Sequence, residues 1–165
     1  MPELQLLRAD HAEAVLAFEV ANRAYFAAWI SDRGDDYFEH FAQRHAALVA
    51  EQDAGMGAFY LFIAEDGQVL GRFNVIFVGD GVAELGYRVA QEAAGRGVAT
   101  AAVREVCQFA ASRHGVRTLR AAASNGNLAS RKVLGNAGFV PLGPADPASI
   151  GGKKGTWYQL ELDGE

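Results

Sequence analysis

A glycine-rich turn between a strand pattern and a helix pattern limits most strongly what this chain can fold into. The turn, Gly95-Arg96-Gly97, follows an alternating run that ends at Val89 and precedes a run with helical spacing that ends at His114. Glycine lets a backbone approach a ligand closely, and the free N–H groups of a helix's first turn attract an anion. The turn is therefore a candidate seat for a diphosphate, although an empty strand-to-helix turn fits the local pattern equally well.

Two common phosphate-binding motifs do not match this turn. The P-loop requires Lys and then Ser or Thr after its last glycine, and here Val98 follows Gly97. The dinucleotide-binding fingerprint requires a third glycine where this chain has Thr100, and it lies between parallel strands. The strand before this turn instead ends a predicted antiparallel meander over residues 60–89.

Hydrophobic spacing predicts strands and helices along the whole chain, with no repeat and no linker. The predicted strands cover residues 4–8, 60–64, 69–78, 82–89, 118–122, 139–142 and 156–162. Predicted helices begin at the N-cap Asp10, near Asp36, at Gly97 and at the N-cap Asn127. The second helix covers residues 36–51, the third ends at Gly115, and a loop rich in Pro and Gly covers residues 143–155. We therefore expect one domain over residues 1–165, of the α/β (α+β) class with a mixed sheet.

Composition argues against several classes of protein. A net charge of -5 does not suit a non-specific nucleic-acid binder, which needs a basic face. No apolar run reaches about 18 residues, so we expect no membrane span, and Met1-Pro2-Glu3 does not begin a signal peptide. One cysteine, Cys107, and four scattered histidines offer no disulfide and no metal-ligand spacing. We expect a cytoplasmic protein without a metal; the sequence leaves its oligomeric state open, a homodimer included.

Three motifs, in order and at normal spacing, resemble the GNAT acetyltransferase family. Ala83-Glu84-Leu85-Gly86-Tyr87 resembles the strand before the family's motif A, and residues 92–97 resemble motif A itself, Gln/Arg-x-x-Gly-x-Gly/Ala. The segment from Asn127 through Ser130 to Gly138-Phe139 resembles Asn-x-x-Ser-x-x-Val/Leu-x-x-x-Gly-Phe. With the order of elements, the resemblance covers nearly the whole chain. It implies the GNAT fold, with a mostly antiparallel sheet of six or seven strands and helices on both faces.

The Asn-x-x-Ser form and the segment Asn22-Arg23-Ala24-Tyr25-Phe26 are most similar to the RimJ/RimL-like branch of this family. This resemblance implies acetyl transfer from acetyl-CoA to the α-amine of a protein N-terminus, notably that of a ribosomal protein. A small-molecule amine is the alternative acceptor, and a non-catalytic sensor that binds acyl-CoA is the alternative class of protein. The expected partners are acetyl-CoA and an amine acceptor, without nucleic acid or membrane.

The resemblance also implies which residues hold acetyl-CoA. Its pyrophosphate would bind backbone N–H groups of the glycine turn, and its pantetheine would pair with the strand before the turn. The residues assigned to the cofactor are Leu85, Val89, Ala94, Gly95, Arg96, Gly97, Val98, Ala99, Thr100, Asn127 and Ser130. Glu92 stands where the family has Gln or Arg, so we expect the backbone, with Arg96, to replace that side-chain contact.

Acetyl transfer needs a neutral amine, a donor for the oxyanion and a proton for the departing thiolate. We interpret Glu84 as the base, acting through water, because a carboxylate in a half-buried strand is costly unless it is used or paired; an ion pair with a neighbouring arginine is the alternative. By resemblance, a backbone N–H near Tyr87 is the oxyanion donor. The resemblance also implies that Ser130 bonds the thiolate or supplies its proton; the alternative is an ordinary helix serine. Leu134 stands where many family members have a tyrosine acid.

An aromatic segment offers a wall for the acceptor. The resemblance places the first two helices beside the acceptor cleft, where Tyr25, Phe26 and Trp29 would line it together with Glu84. The alternative is that these rings are plain hydrophobic core.

Overall fold

Seven strands form one mixed sheet in the computed structural model, which describes residues 2–145 and 154–162. The strands are β1 Glu3–Leu6, β2 Gly57–Ile63, β3 Val69–Gly79, β4 Val82–Val89, β5 Thr118–Ser124, β6 Val140–Ala145 and β7 Gly155–Glu161. Their order is β1-β2-β3-β4-β5-β7-β6, and only β4 and β5 are parallel neighbours in the described chain. The predicted class and the mostly antiparallel mixed sheet are confirmed.

Helices cover both faces of this sheet. They are α1 Ala12–Ala21, α2 Arg23–Ala27, α3 Asp35–Glu39, α4 Phe41–Asp53, α5 Val98–His114 and α6 Leu128–Asn136. Strand side chains point alternately to the two faces, so β2 sends Tyr60 to the core under α5 and α6 and Phe59 to the core under α1–α4. Because both faces are covered, β2 is apolar throughout rather than alternating.

The structure corrects two helix predictions. Asp10 does not cap the first helix: it lies in a 3-10 turn, Ala9–His11, where Nδ1 of His11 accepts the Arg8 N–H at 2.9 Å. α1 begins at Ala12, and its N-cap residue, His11, makes no side-chain hydrogen bond to the first turn of the helix. The helix predicted over 36–51 is two helices, because the chain leaves helical geometry at His40.

The two ends of α5 and the start of α6 are as predicted to within a residue. Gly97 and Gly115 flank α5 with φ of +75° and +66°, a conformation that favours glycine. Asn127 caps α6, because its Oδ1 accepts the Ser130 N–H at 3.1 Å. Of the Pro- and Gly-rich loop, β6 takes residues up to Ala145, and residues 146–153 lie outside the described chain.

Candidate active site

The sheet opens where β4 and β5 separate. Their parallel ladder ends at the pair Leu85–Ala121, although β4 continues to Val89. Ala90 N–H donates to the Leu70 carbonyl at 2.8 Å. In this register, Arg88 and every second residue before it on β4 direct their backbone N–H and C=O groups toward β3. Because bonding alternates along an antiparallel ladder, the N–H and C=O groups of Tyr87 and Val89 point away from β3 into the gap. The chain therefore presents an open strand edge inside the fold.

A cavity of about 170 Å³ lies at this gap. It brings together ten of the residues singled out from the sequence, which come from the aromatic segment, β4, the glycine turn and the start of α6. They are Tyr25, Phe26, Trp29, Tyr87, Val89, Ala94, Gly95, Ala99, Asn127 and Ser130. The wall also contains four residues that the sequence reasoning did not select: Ile30, Arg88, Ala129 and Val133. Six predicted site residues do not line it: Glu84, Leu85, Arg96, Gly97, Val98 and Thr100.

The glycine turn leaves room for a ligand beside α5. Gly95 and Gly97 both have positive φ, and a Cβ added to either would meet no atom within 4 Å. The first helical hydrogen bond runs from Ala101 N–H to Gly97 C=O, so the N–H groups of residues 98–100 have no acceptor within the helix. A glycine N-cap has no side chain to occupy them. The turn thus has the free donors and the space that an anion requires.

The structure shows what the Glu92 side chain does at the position where the family has Gln or Arg. Its carboxylate accepts a hydrogen bond from Nε2 of Gln68 at 2.9 Å, so it points toward the turn between β2 and β3. The exposed Arg96 is a neighbour of the turn rather than part of the cavity wall. Both observations leave backbone groups as the main donors to an anion at this turn.

A phenol and a hydroxyl meet in the cavity. The Tyr87 hydroxyl lies 2.9 Å from Oγ of Ser130 and 3.3 Å from the Ser130 carbonyl oxygen. The Tyr87 ring stacks on Phe73, with centroids 5.6 Å apart. Burial raises the pKa of Tyr87 to about 12, against a smaller lowering by the Ser130 hydrogen bond. The phenol therefore keeps its proton at neutral pH and can donate it.

The sequence reasoning assigned only the backbone of Tyr87, yet its side chain is the more informative group. Leu134, at the family's usual tyrosine position, is fully buried in the core. Strand alternation was the signal: it places the Tyr87 side chain on the face covered by α6, and Ser130 lies in the first turn of that helix.

Glu84 is half-buried in the middle of β4, between Ile76 of β3 and Arg120 of β5 in register. Throughout the described ranges, no hydrogen bond or ion pair engages its carboxylate, and Arg120 instead donates to Gln159 at 3.0 Å. Within the described residues, Glu84 therefore does not form the ion pair with a neighbouring arginine that was its alternative role. Glu84 also lies outside the cavity wall, so any contact with an acceptor in the cavity needs a bridging water.

The aromatic segment contributes side chains both to the cavity wall and to the hydrophobic core under α1–α4. Phe26 is buried and packs on Phe18 with ring centroids 5.5 Å apart, whereas Trp29 is exposed. Asn22, just before these rings, donates to the Phe18 carbonyl and accepts the Gln91 N–H, each at 2.9 Å. This amide ties the junction of α1 and α2 to the loop that leads into the glycine turn.

A buried charge cluster lies beside the cavity on the face covered by α1–α4. The Glu19 carboxylate is 1% exposed; Arg33 donates to both of its oxygens at 2.9 and 3.2 Å, and Arg72 donates at 2.7 Å. Nη1 of Arg88 is 3.5 Å from Oε1 of Glu19. Burial alone would raise the pKa of Glu19, but the Arg33 hydrogen bond and the charges of Arg33 and Arg72 outweigh it and lower that pKa.

Cys107 is buried in the core under α5, and burial raises the pKa of its thiol to about 12, which suits packing rather than nucleophilic chemistry. No helix in the described part of the chain is long and apolar enough to cross a membrane. An exposed trio, Asp36, Glu39 and His40, groups possible metal ligands, but Asp36 already pairs with His40 and Arg44 at 3.0 and 3.1 Å.

Several known proteins resemble this chain in sequence or in fold. Residues 3–140 match the family described as the acetyltransferase (GNAT) domain. The probable N-acetyltransferase YjcK of Bacillus subtilis (strain 168) is 28% identical over 145 residues, 84% of this chain and 80% of the relative. The ribosomal-protein-S5-alanine acetyltransferase from Vibrio fischeri superposes with a TM-score of 0.89 at 21% identity, covering 98% of this chain and 93% of that one. Mycobacterium smegmatis RimJ in complex with CoA-disulfide superposes with a TM-score of 0.83 at 21% identity, covering 96% and 80%.

The opened sheet beside a helix terminus with free N–H groups is the framework of an enzyme that transfers acyl groups. The match over most of the sequence then identifies the family: this chain belongs to the GNAT acetyltransferases. It is an acyltransferase, and acetyl-CoA is its cosubstrate.

Proposed function

We propose that this enzyme acetylates the α-amine at the N-terminus of a protein, by direct attack of that amine on acetyl-CoA in a ternary complex. The observation that carries the proposal is the Tyr87–Ser130 pair, 2.9 Å apart, set in a cavity between the open edge of β4 and the aromatic wall of α2. The similarity to an S5-alanine acetyltransferase and to RimJ supports a protein N-terminus as the acceptor. A small-molecule amine is the second candidate, since the cavity alone does not select between them.

The cofactor would lie along the open edge of β4. Its pyrophosphate would accept hydrogen bonds from the N–H groups of residues 97–100, and its amides would pair with the outward-facing groups of Tyr87 and Val89. Asn127 and Ser130 would then lie beside the thioester. This placement uses the open space at Gly95 and Gly97 and the cavity wall at Ala94 and Ala99.

The reaction would proceed with three proton transfers. The protonated acceptor amine loses one proton through water to Glu84, and its nitrogen attacks the thioester carbonyl carbon to form a C–N bond. A backbone N–H of β4 near Tyr87 would bond the oxyanion. When the C–S bond breaks, the thiolate takes the phenolic proton of Tyr87, whose hydroxyl Ser130 orients. The second amine proton returns to the phenol and Glu84 releases its proton to solvent, so the enzyme is regenerated and the products are the amide, free thiol and one proton.

Removing the Tyr87 hydroxyl tests this role directly. Tyr87→Phe is expected to lower kcat by about 100-fold, the usual size of a general acid's contribution, and to leave the affinity for coenzyme A unchanged because the ring still stacks on Phe73. Stopped-time assays of thiol release, with calorimetry for cofactor binding, measure both. Tyr60→Phe is the matched control: this buried tyrosine bonds His114 at 2.8 Å and lies outside the cavity wall. An unchanged kcat in Tyr87→Phe would remove the phenol from the mechanism.

Glu84→Gln tests the proposed base. We expect turnover to fall by about tenfold to 100-fold while the dissociation constant for acetyl-CoA stays the same, because Glu84 does not line the cavity. Glu161→Gln, at the exposed end of strand β7, controls for the loss of a carboxylate. If both variants turn over like the parent enzyme, Glu84 has no part in proton removal.

A panel of acceptors separates the candidate functions. Peptides with different N-termini and small amines such as polyamines are mixed with the enzyme and acetyl-CoA, and thiol release is followed. Faster turnover of peptides supports the proposal, and turnover of small amines alone supports the second candidate. Cofactor binding without thiol release from any acceptor would favour an acyl-CoA sensor instead.

A further inference from the structure

Arg88 stands out among the charged residues of the cavity. Its neighbours along β4 are Tyr87 and Val89, and it forms part of the cavity wall with a side chain 17% exposed. Within residues 2–145 and 154–162, its guanidinium donates no hydrogen bond, and the closest carboxylate oxygen is 3.5 Å away on Glu19. An arginine fork normally places its donors on a carboxylate or phosphate at 2.7–2.9 Å, so most of its donors are available.

The surrounding charges are also out of balance. Glu19 supplies one negative charge, and its two oxygens already accept three shorter contacts from Arg33 and Arg72. Three guanidinium groups therefore share a single carboxylate, and this buried region has two excess positive charges. Burial, with the charge of Arg33 second, lowers the pKa of Arg88 to about 10, which still leaves it charged at neutral pH.

The Arg88 guanidinium lies over the ring of Phe26. Cζ of Arg88 lies 5.1 Å from the centre of the Phe26 ring, on the α2 side of the cavity. Arg88 thus lies at the aromatic wall that the resemblance assigns to the acceptor, whereas the free N–H groups that suit a pyrophosphate belong to the glycine turn and α5. An anion at Arg88 would therefore belong to the acceptor rather than to the cofactor.

We propose that Arg88 selects acceptors by binding a carboxylate next to the reacting amine, so that the preferred substrates are protein N-termini with Asp or Glu among their first residues. This inference rests on the proposed function and gives it a substrate class. The chain's overall charge of -5 would by itself favour a basic peptide, but a desolvated guanidinium a few ångströms from the acceptor outweighs dispersed surface charge that salt screens.

Paired peptides test the selection. Each pair has the same sequence except for Asp or Glu in place of Asn or Gln at position 2, 3 or 4. The parent enzyme is expected to prefer the acidic member of at least one pair by about tenfold in kcat/KM, as one charge-assisted hydrogen bond would give. In Arg88→Met, which keeps much of the apolar stem, that preference should fall to near unity while acetyl-CoA binding is retained.

Arg113→Met is the matched control. This arginine also stacks on a phenyl ring, with Cζ 3.6 Å from the centre of Phe109, but it lies near the far end of α5. Its variant should keep the acidic preference.

Equal rates for every acidic and amide pair in the parent enzyme, or a preference that survives in Arg88→Met, would overturn the assignment and leave peptide acetylation standing. Weaker acetyl-CoA binding with unchanged peptide preference would assign Arg88 to the cofactor. Thiol release from none of the peptides would overturn the proposed function together with this inference.

Discussion

Gly97→Trp is expected to weaken coenzyme A binding by about 1,000-fold, the loss that corresponds to two or more charge-assisted hydrogen bonds from backbone N–H groups. The side chain at this position would project into space in which a Cβ meets no protein atom within 4 Å, and that space is the proposed seat of the pyrophosphate. Isothermal titration of the variant with coenzyme A, beside the parent enzyme, measures the effect.

The other end of the same helix supplies the control for backbone strain. Gly115 also has positive φ and also faces open space, but it lies past the last residue of α5. Gly115→Trp imposes a similar conformational penalty, of about 1–2 kcal/mol, and should leave coenzyme A affinity intact. If both variants bind coenzyme A equally well, the pyrophosphate does not lie at the glycine turn.

Glu19→Gln is expected to lower the free energy of unfolding by about 3–5 kcal/mol, because it removes the only carboxylate shown among three buried or half-buried arginines. Urea denaturation at neutral pH measures this loss. Glu13→Gln, an exposed position in the same helix, should change stability by less than about 0.5 kcal/mol. Equal denaturation midpoints for the two variants would show that the cluster contributes nothing to stability.

The same residue predicts a pH dependence. The pKa of Glu19 is lower in the folded state than its ordinary value of 4.5. Its contribution to stability is therefore complete above that ordinary value and is lost as the pH falls through the folded-state pKa. The difference in stability between parent and Glu19→Gln should accordingly shrink in acid, below about pH 4.5.

Features that depend on neighbouring residues were predictable from the sequence. The bounds of β4, the cap at Asn127 and the glycine at the end of α5 follow from alternation, side-chain capping and the conformational freedom of glycine. The glycine turn was likewise readable, because its donors and its free space come from consecutive residues. The start of α1 was not, because Asp10 lies within the 3-10 turn Ala9–His11 that precedes the helix instead of capping it.

Features assembled from distant segments were not predictable in the same way. The charge cluster takes Glu19 from α1, Arg33 from a loop, Arg72 from β3 and Arg88 from β4, and no local pattern joins them. The Tyr87–Ser130 pair spans 43 residues and depends on where β5 leaves β4. The resemblance to the family brought both residues into view, but only the register of the strands shows that their side chains meet.

The early end of the β4–β5 ladder has one more consequence. In most proteins an unpaired strand edge is a hazard, because a second chain can add to it and begin an aggregate. Here the free edge faces a cavity walled by α2 and α6, where another sheet cannot enter but a thin chain with amide groups can. In the proposed placement, acetyl-CoA would act as a removable length of strand, and each catalytic cycle would complete the sheet and open it again. Because a ligand that binds only the folded state stabilises it, the folded state would be most stable when acetyl-CoA is plentiful.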